Sequence, residues 1–147
     1  MIEKTKLHLY IHPAIQLLGV VFGSIAMYWG AKRFLVVHKQ MKFAFPWNHH
    51  VLYGKIAIFL WLIGFSFGLY FTHSEWNNYR ITGEHYIVGM FMLPLLLTTF
   101  ITGYWMELFK KRRTVLCVMH GALGFVLCVF SFLQVITGIQ VFSLFVW

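Results

Sequence analysis

Eight histidines stand at positions 8, 12, 38, 49, 50, 73, 85 and 120 of this 147-residue chain, and four of them obey one spacing rule. His12, His50, His85 and His120 follow the last preceding Lys or Arg by 6, 8, 5 and 7 residues, and a long apolar run continues beyond each. In "ITGEHYIVGM", residues 81–90, Glu84 and His85 stand at the lip of a segment built from Ile, Val, Met, Phe and Leu. An imidazole entering an apolar phase needs a partner or a job. It hydrogen-bonds a neighbour, lines an ion path or ligates a metal. The elements that carry the four imidazoles discriminate among these.

Those elements are membrane spans. The chain is 60% apolar and only 11% charged, with a mean hydropathy of +0.73, whereas soluble domains carry roughly 25% charged residues. Residues 7–31, 56–74, 85–106 and 114–147 contain no Asp, Glu, Lys or Arg, in runs of 25, 19, 22 and 34 residues. About 20 helical residues cross a bilayer core. The expected fold class is an all-α integral membrane protein. Helices are expected at about 9–34, 49–73, 84–108 and 115–140. The short connectors make sequential helices antiparallel neighbours, hence one up-down-up-down bundle and a single domain over 1–147. The leading "MIEKTK" resembles the start of a signal peptide, but the apolar stretch behind it is too long and has no A-x-A site, so it reads as a retained helix.

Basic residues orient the bundle. Lys4, Lys6 and Arg80 fall on the N-terminal side, face A, and the other nine of twelve fall on face B. The positive-inside rule makes face B cytoplasmic and puts both termini outside, with Trp29, Trp47 and Trp105 near face B and Trp76 and Trp147 near face A as interfacial belts. The net charge of +8 is thereby a topology signal. No nucleic-acid-binding module is formed, because the basic residues only flank spans.

Antiparallel topology pairs the histidines. Helices one and three start at face A, which puts His12 and His85 at one level. Helices two and four start at face B, which does the same for His50 and His120. In a four-helix bundle both pairs lie across diagonals, an arrangement suited to a b-type haem ligated from both sides. The spacing therefore predicts two non-covalent b haems, since no C-x-x-C-H motif is present. Glycine follows on the same stripes: Gly54, Gly89 and Gly124 at i+4 (Gln16 in helix one), and Gly30, Gly68, Gly103 and Gly138 at i+18. These offer small-residue faces for a macrocycle, or close helix approach. His50 is preferred over His49 because it is spaced four from Gly54. His8, His38 and His73 read as solvated. Cys117 and Cys128 read as packing thiols, eleven residues apart and unable to bond each other within one helix.

Haem propionates require cations or donors at the interfaces. Arg80, Lys6 and His8 are the candidates at face A, and Lys55, Arg33 and Arg113 at face B. Lys55 reads equally as a snorkelling anchor. Gln134 is polar at depth and reads as an interhelical hydrogen-bond donor, with service to the face-A haem or to a quinone as alternatives. Pro94 is expected to kink helix three, which neighbouring helices accommodate.

"YIHPAIQLLGVVFGSIAMYWGAKRF" resembles the His-Pro-initiated helix of the cytochrome b561 superfamily, and "HHVLYGKIAIFLWLIG", "GEHYIVGMFMLPLLLTTFITG" and "MHGALGFVLCVFSFLQVITGIQ" are similar to its next three core helices. The likeness spans about 12–142 and is nearest to the small four-helix prokaryotic members. It implies a core binding two b haems, with ligands falling on His12 with His85 and on His50 with His120, in a bacterial inner membrane. The flanking helices of six-span members are lacking, and no ascorbate site is identifiable. The expected function is electron relay between the two membrane faces, with Phe and Trp side chains such as Trp61 packing the gap between haems. The chain would act as subunit or partner of a larger oxidoreductase, exchanging electrons with redox proteins or quinone. The alternative is a non-redox membrane anchor or a histidine-lined metal-ion conduit. The conduit is disfavoured by the Gly, Ala, Leu, Met and Val that fill the middle of the stripes.

Overall fold

The computed structural model describes residues 7–111 and 113–145. A short 3-10 helix, Leu7–Tyr10, leads into α1 (Ile11–Lys39), followed by α2 (Trp47–Trp76), α3 (Glu84–Leu108) and α4 (Val115–Phe145). The described residues contain no strand. Each helix is long and apolar enough to cross a membrane. The shortest, α3 with 25 residues, extends roughly 37 Å at ~1.5 Å per residue, beyond a hydrocarbon core of ~30 Å.

The ends follow local chemistry. Pro13 sits in the first turn of α1, where its missing N–H has no carbonyl to serve. Nothing interrupts "RFLVVHK", so α1 runs five residues past the expected end and stops where Gln40 turns left-handed (φ 53°). Asn77 ends α2 the same way, its N–H donating to the His73 carbonyl at 2.8 Å. Pro46 precedes the first turn of α2. Gly83, at φ +55°, turns the chain into α3, a conformation that costs glycine little. The helix continues through Pro94, and the Thr98 hydroxyl donates to the Pro94 carbonyl at 2.8 Å.

The principal helix contacts are α1 with α2, α3 with α4, α1 with α4, and α2 with α3. That leaves α1 and α3 on one diagonal and α2 and α4 on the other. Along α1, positions 12, 16, 19, 23, 26 and 30 meet positions 68, 64, 61, 61, 54 and 50 of α2 in descending order, so these two helices run in opposite directions. The core is narrow: Ala57, Trp61, Met92, Leu96 and Leu127. Trp61 fills the gap left by two glycines, since a Cβ at Gly19 or Gly23 would come within 2.6 or 2.5 Å of its indole. Large apolar side chains such as Phe59, Phe91, Ile101, Phe125 and Ile139 instead point outward. Helices that are apolar all round belong in lipid or a large core, and a bundle this thin has no large core.

Candidate functional site

Each of the four histidines sits in the first two turns of its helix: second in α1 and α3, fourth in α2, sixth in α4. They meet in two couples across the diagonals. The rings of His12 and His85 have centroids 6.0 Å apart and planes at 88°. Those of His50 and His120 are 6.1 Å apart at 83°. All four rings are partly buried.

Hydrogen bonds orient every ring through Nδ1. His12 Nδ1 lies 2.7 Å from the Gly64 carbonyl, and His50 Nδ1 lies 2.9 Å from the Ala26 carbonyl. A carbonyl only accepts, so Nδ1 carries the proton and Nε2 keeps its lone pair. His85 Nδ1 lies 3.1 Å from Thr137 Oγ1, and His120 Nδ1 lies 3.0 Å from Thr102 Oγ1. Both hydroxyls spend their own proton on a carbonyl one turn back, Thr137 on Leu133 at 3.0 Å and Thr102 on Thr98 at 2.8 Å. Their lone pairs therefore accept from imidazole. All four rings share one tautomer, with Nε2 available to a ligand.

The helices reciprocate. Gly64 lies fourteen residues beyond His50, the histidine of its own helix, and Ala26 lies fourteen beyond His12. The same offset in α4 and α3 falls on Gln134 and Thr99, whose carbonyls lie 3.4 and 3.0 Å from Thr137 Oγ1 and Thr102 Oγ1. The i+18 glycines complete the cradle. A Cβ at Gly68 would stand 2.8 Å from His12 Cε1, at Gly103 2.9 Å from His120, at Gly138 3.2 Å from His85 and at Gly30 3.3 Å from His50. These glycines thus make room for a neighbouring helix's imidazole, a more local job than a face for a macrocycle. Of the i+4 glycines, Gly54 packs toward Ala26, Gly89 receives the Gln134 amide, and Gly124 opens on free space.

The remaining candidates are placed as follows. Gln134 Nε2 donates to the His85 carbonyl at 3.1 Å, an interhelical bond. Gln16 mirrors it, filling the gap at Gly64 and reaching the Trp61 carbonyl at 3.5 Å. Lys55 is committed to Glu107 at 2.7 Å and to the Tyr104 face, so its charge is already partnered. Arg80 is exposed and lines a hollow of about 240 Å³ with Gly83, Tyr86 and Ile87, close to His85. Arg33 lies over Phe45, whose ring is 5.9 Å from that of His50. One buried guanidinium nitrogen of Arg113, Nη1, has no hydrogen-bond partner. Lys4, Lys6, Arg112 and Trp147 lie outside the described residues. His8 pairs with Glu75 at 3.0 Å, a partner the sequence reading did not supply. His49 is exposed beside Trp29 and Tyr53, while His50 faces inward. His73 stacks on Tyr79, and His38 packs against Phe34.

Thr102 and Thr137 were missed from sequence, though a signal exists. "ITG" occurs at 81–83, 101–103 and 136–138, and the last two occurrences put a threonine at i+17 beside the i+18 glycine in α3 and α4.

Fold and site together define a four-helix protein of membrane-spanning dimensions with two partly buried histidine couples, one toward each end. No family model, curated protein or solved structure matches the chain.

Proposed function

We propose that the chain is a di-haem b-type transmembrane cytochrome relaying electrons between the membrane faces, with His12/His85 and His50/His120 as axial ligand pairs. The observation that carries this reading is the geometry of the couples. An imidazole nitrogen lies about 2.0 Å from a first-row metal ion and the ring centroid about 1.2 Å behind it, so two rings on opposite sides of one ion have centroids roughly 6.4 Å apart. The measured 6.0 and 6.1 Å are close to that span. Nδ1–H held by a carbonyl or hydroxyl is the usual outer-shell support of a metal-bound imidazole.

The donor set favours a porphyrin over a bare ion. Among the described residues no group of three or more His, Cys, Asp or Glu converges. Two imidazoles alone satisfy neither a tetrahedral nor an octahedral ion, whereas a porphyrin brings four nitrogens of its own. When bound, such a haem supplies one-electron transfer and offers no open position to oxygen or substrate. The Gly64 and Ala26 carbonyls and the two threonines orient the ligands, and Trp61 with Leu96 and Leu127 keeps the space between the couples dry. The dry core also argues against an ion conduit, because Thr99 and Ser131 are the buried polar residues among those described.

In this reading the helices form an up-down-up-down bundle resembling the cytochrome b561 core, set in a bacterial inner membrane with face B cytoplasmic. Redox proteins or quinone exchange electrons with it, and it serves as subunit or partner of a larger oxidoreductase.

The test is a reduced-minus-oxidised spectrum with haem quantified per chain. Two b haems per chain are expected, and His85→Ala should remove one while the His50/His120 site persists. A haem-free parent protein refutes the reading, and equal loss of both haems refutes the pairing.

A further inference from the structure

Each couple is asymmetric in the same sense. The histidine from the α1–α2 pair of helices gives its Nδ1 proton to a backbone carbonyl, at 2.7 Å for His12 and 2.9 Å for His50. The histidine from the α3–α4 pair gives its proton to a threonine hydroxyl, at 3.1 Å for His85 and 3.0 Å for His120. Backbone acceptors cannot be changed by substituting a side chain, but hydroxyls can. Each threonine also belongs to one couple only, Thr137 to the one near face A and Thr102 to the one near face B.

Resting on the di-haem reading, we infer that Thr102 and Thr137 are positioning residues that set the reduction potentials of the two haem sites independently, each through Nδ1 of one histidine. An acceptor at Nδ1–H pushes electron density toward Nε2 and makes the imidazole a stronger donor. A stronger donor stabilises ferric over ferrous iron. Removing the hydroxyl weakens that donation, favours the ferrous form and raises the potential of that site. The acceptor of each hydroxyl proton, a helical carbonyl one turn back, keeps the hydroxyl lone pair aimed at the ring. Thr102 has the stronger lever. Gln134 Oε1 lies 3.4 Å from Thr137 Oγ1, a second side-chain acceptor at the His85 ring, whereas the further neighbour of Thr102 Oγ1 is the Thr99 backbone carbonyl at 3.0 Å. Losing Thr137 is therefore partly compensated, and losing Thr102 is less so.

The experiment is a spectroelectrochemical titration of the full haem-loaded chain in detergent, parent against Thr102→Val, Thr137→Val and the corresponding serine variants. Thr102→Val should shift the reduction equilibrium of one of the two titrating components by about tenfold toward ferrous, about 59 mV for one electron. Thr137→Val should shift the other component in the same direction by less, and both serine variants should titrate as the parent does. If valine empties a site, the alanine variant, which removes the hydroxyl without filling its place, is titrated instead. Two bound haems with unmoved potentials, an equal shift of both components, or serine as disruptive as valine would overturn the inference. Absence of haem from the parent would instead overturn the di-haem reading on which it rests.

Discussion

Gly68→Ala should damage the His12 position, and Gly30→Ala should leave the His50 position nearly intact. A Cβ at residue 68 would lie 2.8 Å from His12 Cε1 and 3.0 Å from Nδ1. Restoring ordinary contact near 3.4 Å requires the ring to retreat by about 0.6 Å, beyond the ~0.5 Å that a preorganised site tolerates. That retreat also strains the 2.7 Å bond to the Gly64 carbonyl. Overpacking of this kind costs about 1–3 kcal/mol, and the weakened hydrogen bond adds about 0.5–1.5 kcal/mol. Against this, alanine gains about 1 kcal/mol over glycine in a helix interior. The balance at 68 is unfavourable. At residue 30 the Cβ would stand 3.3 Å from His50 Cε1, so a shift of about 0.1 Å suffices and the propensity gain decides the sign. Gly103 (2.9 Å) and Gly138 (3.2 Å) repeat the tight and loose pair in α3 and α4. Thermal unfolding in detergent should rank Gly68→Ala below parent and Gly30→Ala at or above it. Equal melting temperatures for the two variants, or the reverse order, would refute the cradle.

Three further outcomes are expected from the packing. Trp61 is 4% exposed and rests on Gly19 and Gly23, so Trp61→Ala should cost about 3–5 kcal/mol, read as a fall in thermal midpoint. Thr99 Oγ1 is buried without a hydrogen-bond partner, and Thr99→Val removes that desolvation burden; its midpoint should stay level or rise, and a fall would reveal an acceptor this geometry lacks. The Lys55–Glu107 pair is 45% and 26% exposed, so screening keeps its contribution within about 0–1 kcal/mol. Glu107→Gln should move the midpoint only slightly, and a loss as large as that of Trp61→Ala would mean the pair is far more sheltered than these exposures imply.

Much of this protein is a one-dimensional property of its chain. Where charge is absent for about twenty residues or more a helix can span, and the runs 7–31, 56–74, 85–106 and 114–147 mark α1 to α4 with errors of up to nine residues at their ends. The helical period places His12 and Gly30, or His120 and Gly138, on one stripe, because 18 residues make five turns whatever surrounds them. Even His50 over His49 follows from that period. What lies across the stripe does not. That Gly68 hosts the His12 ring, that Lys55 is held by Glu107, that His8 meets Glu75, and that Thr102 and Thr137 receive protons from His120 and His85 all depend on contacts between residues up to 67 positions apart.

Spacing along a helix gives each side chain an angle and a height, and only the lateral packing of one helix against the next decides which atom stands opposite. The imidazoles' depth belonged to the sequence, since charge and period set it. Their tautomer, their tilt and their partners belonged to the tertiary structure, since these hang on carbonyls and hydroxyls of a different helix.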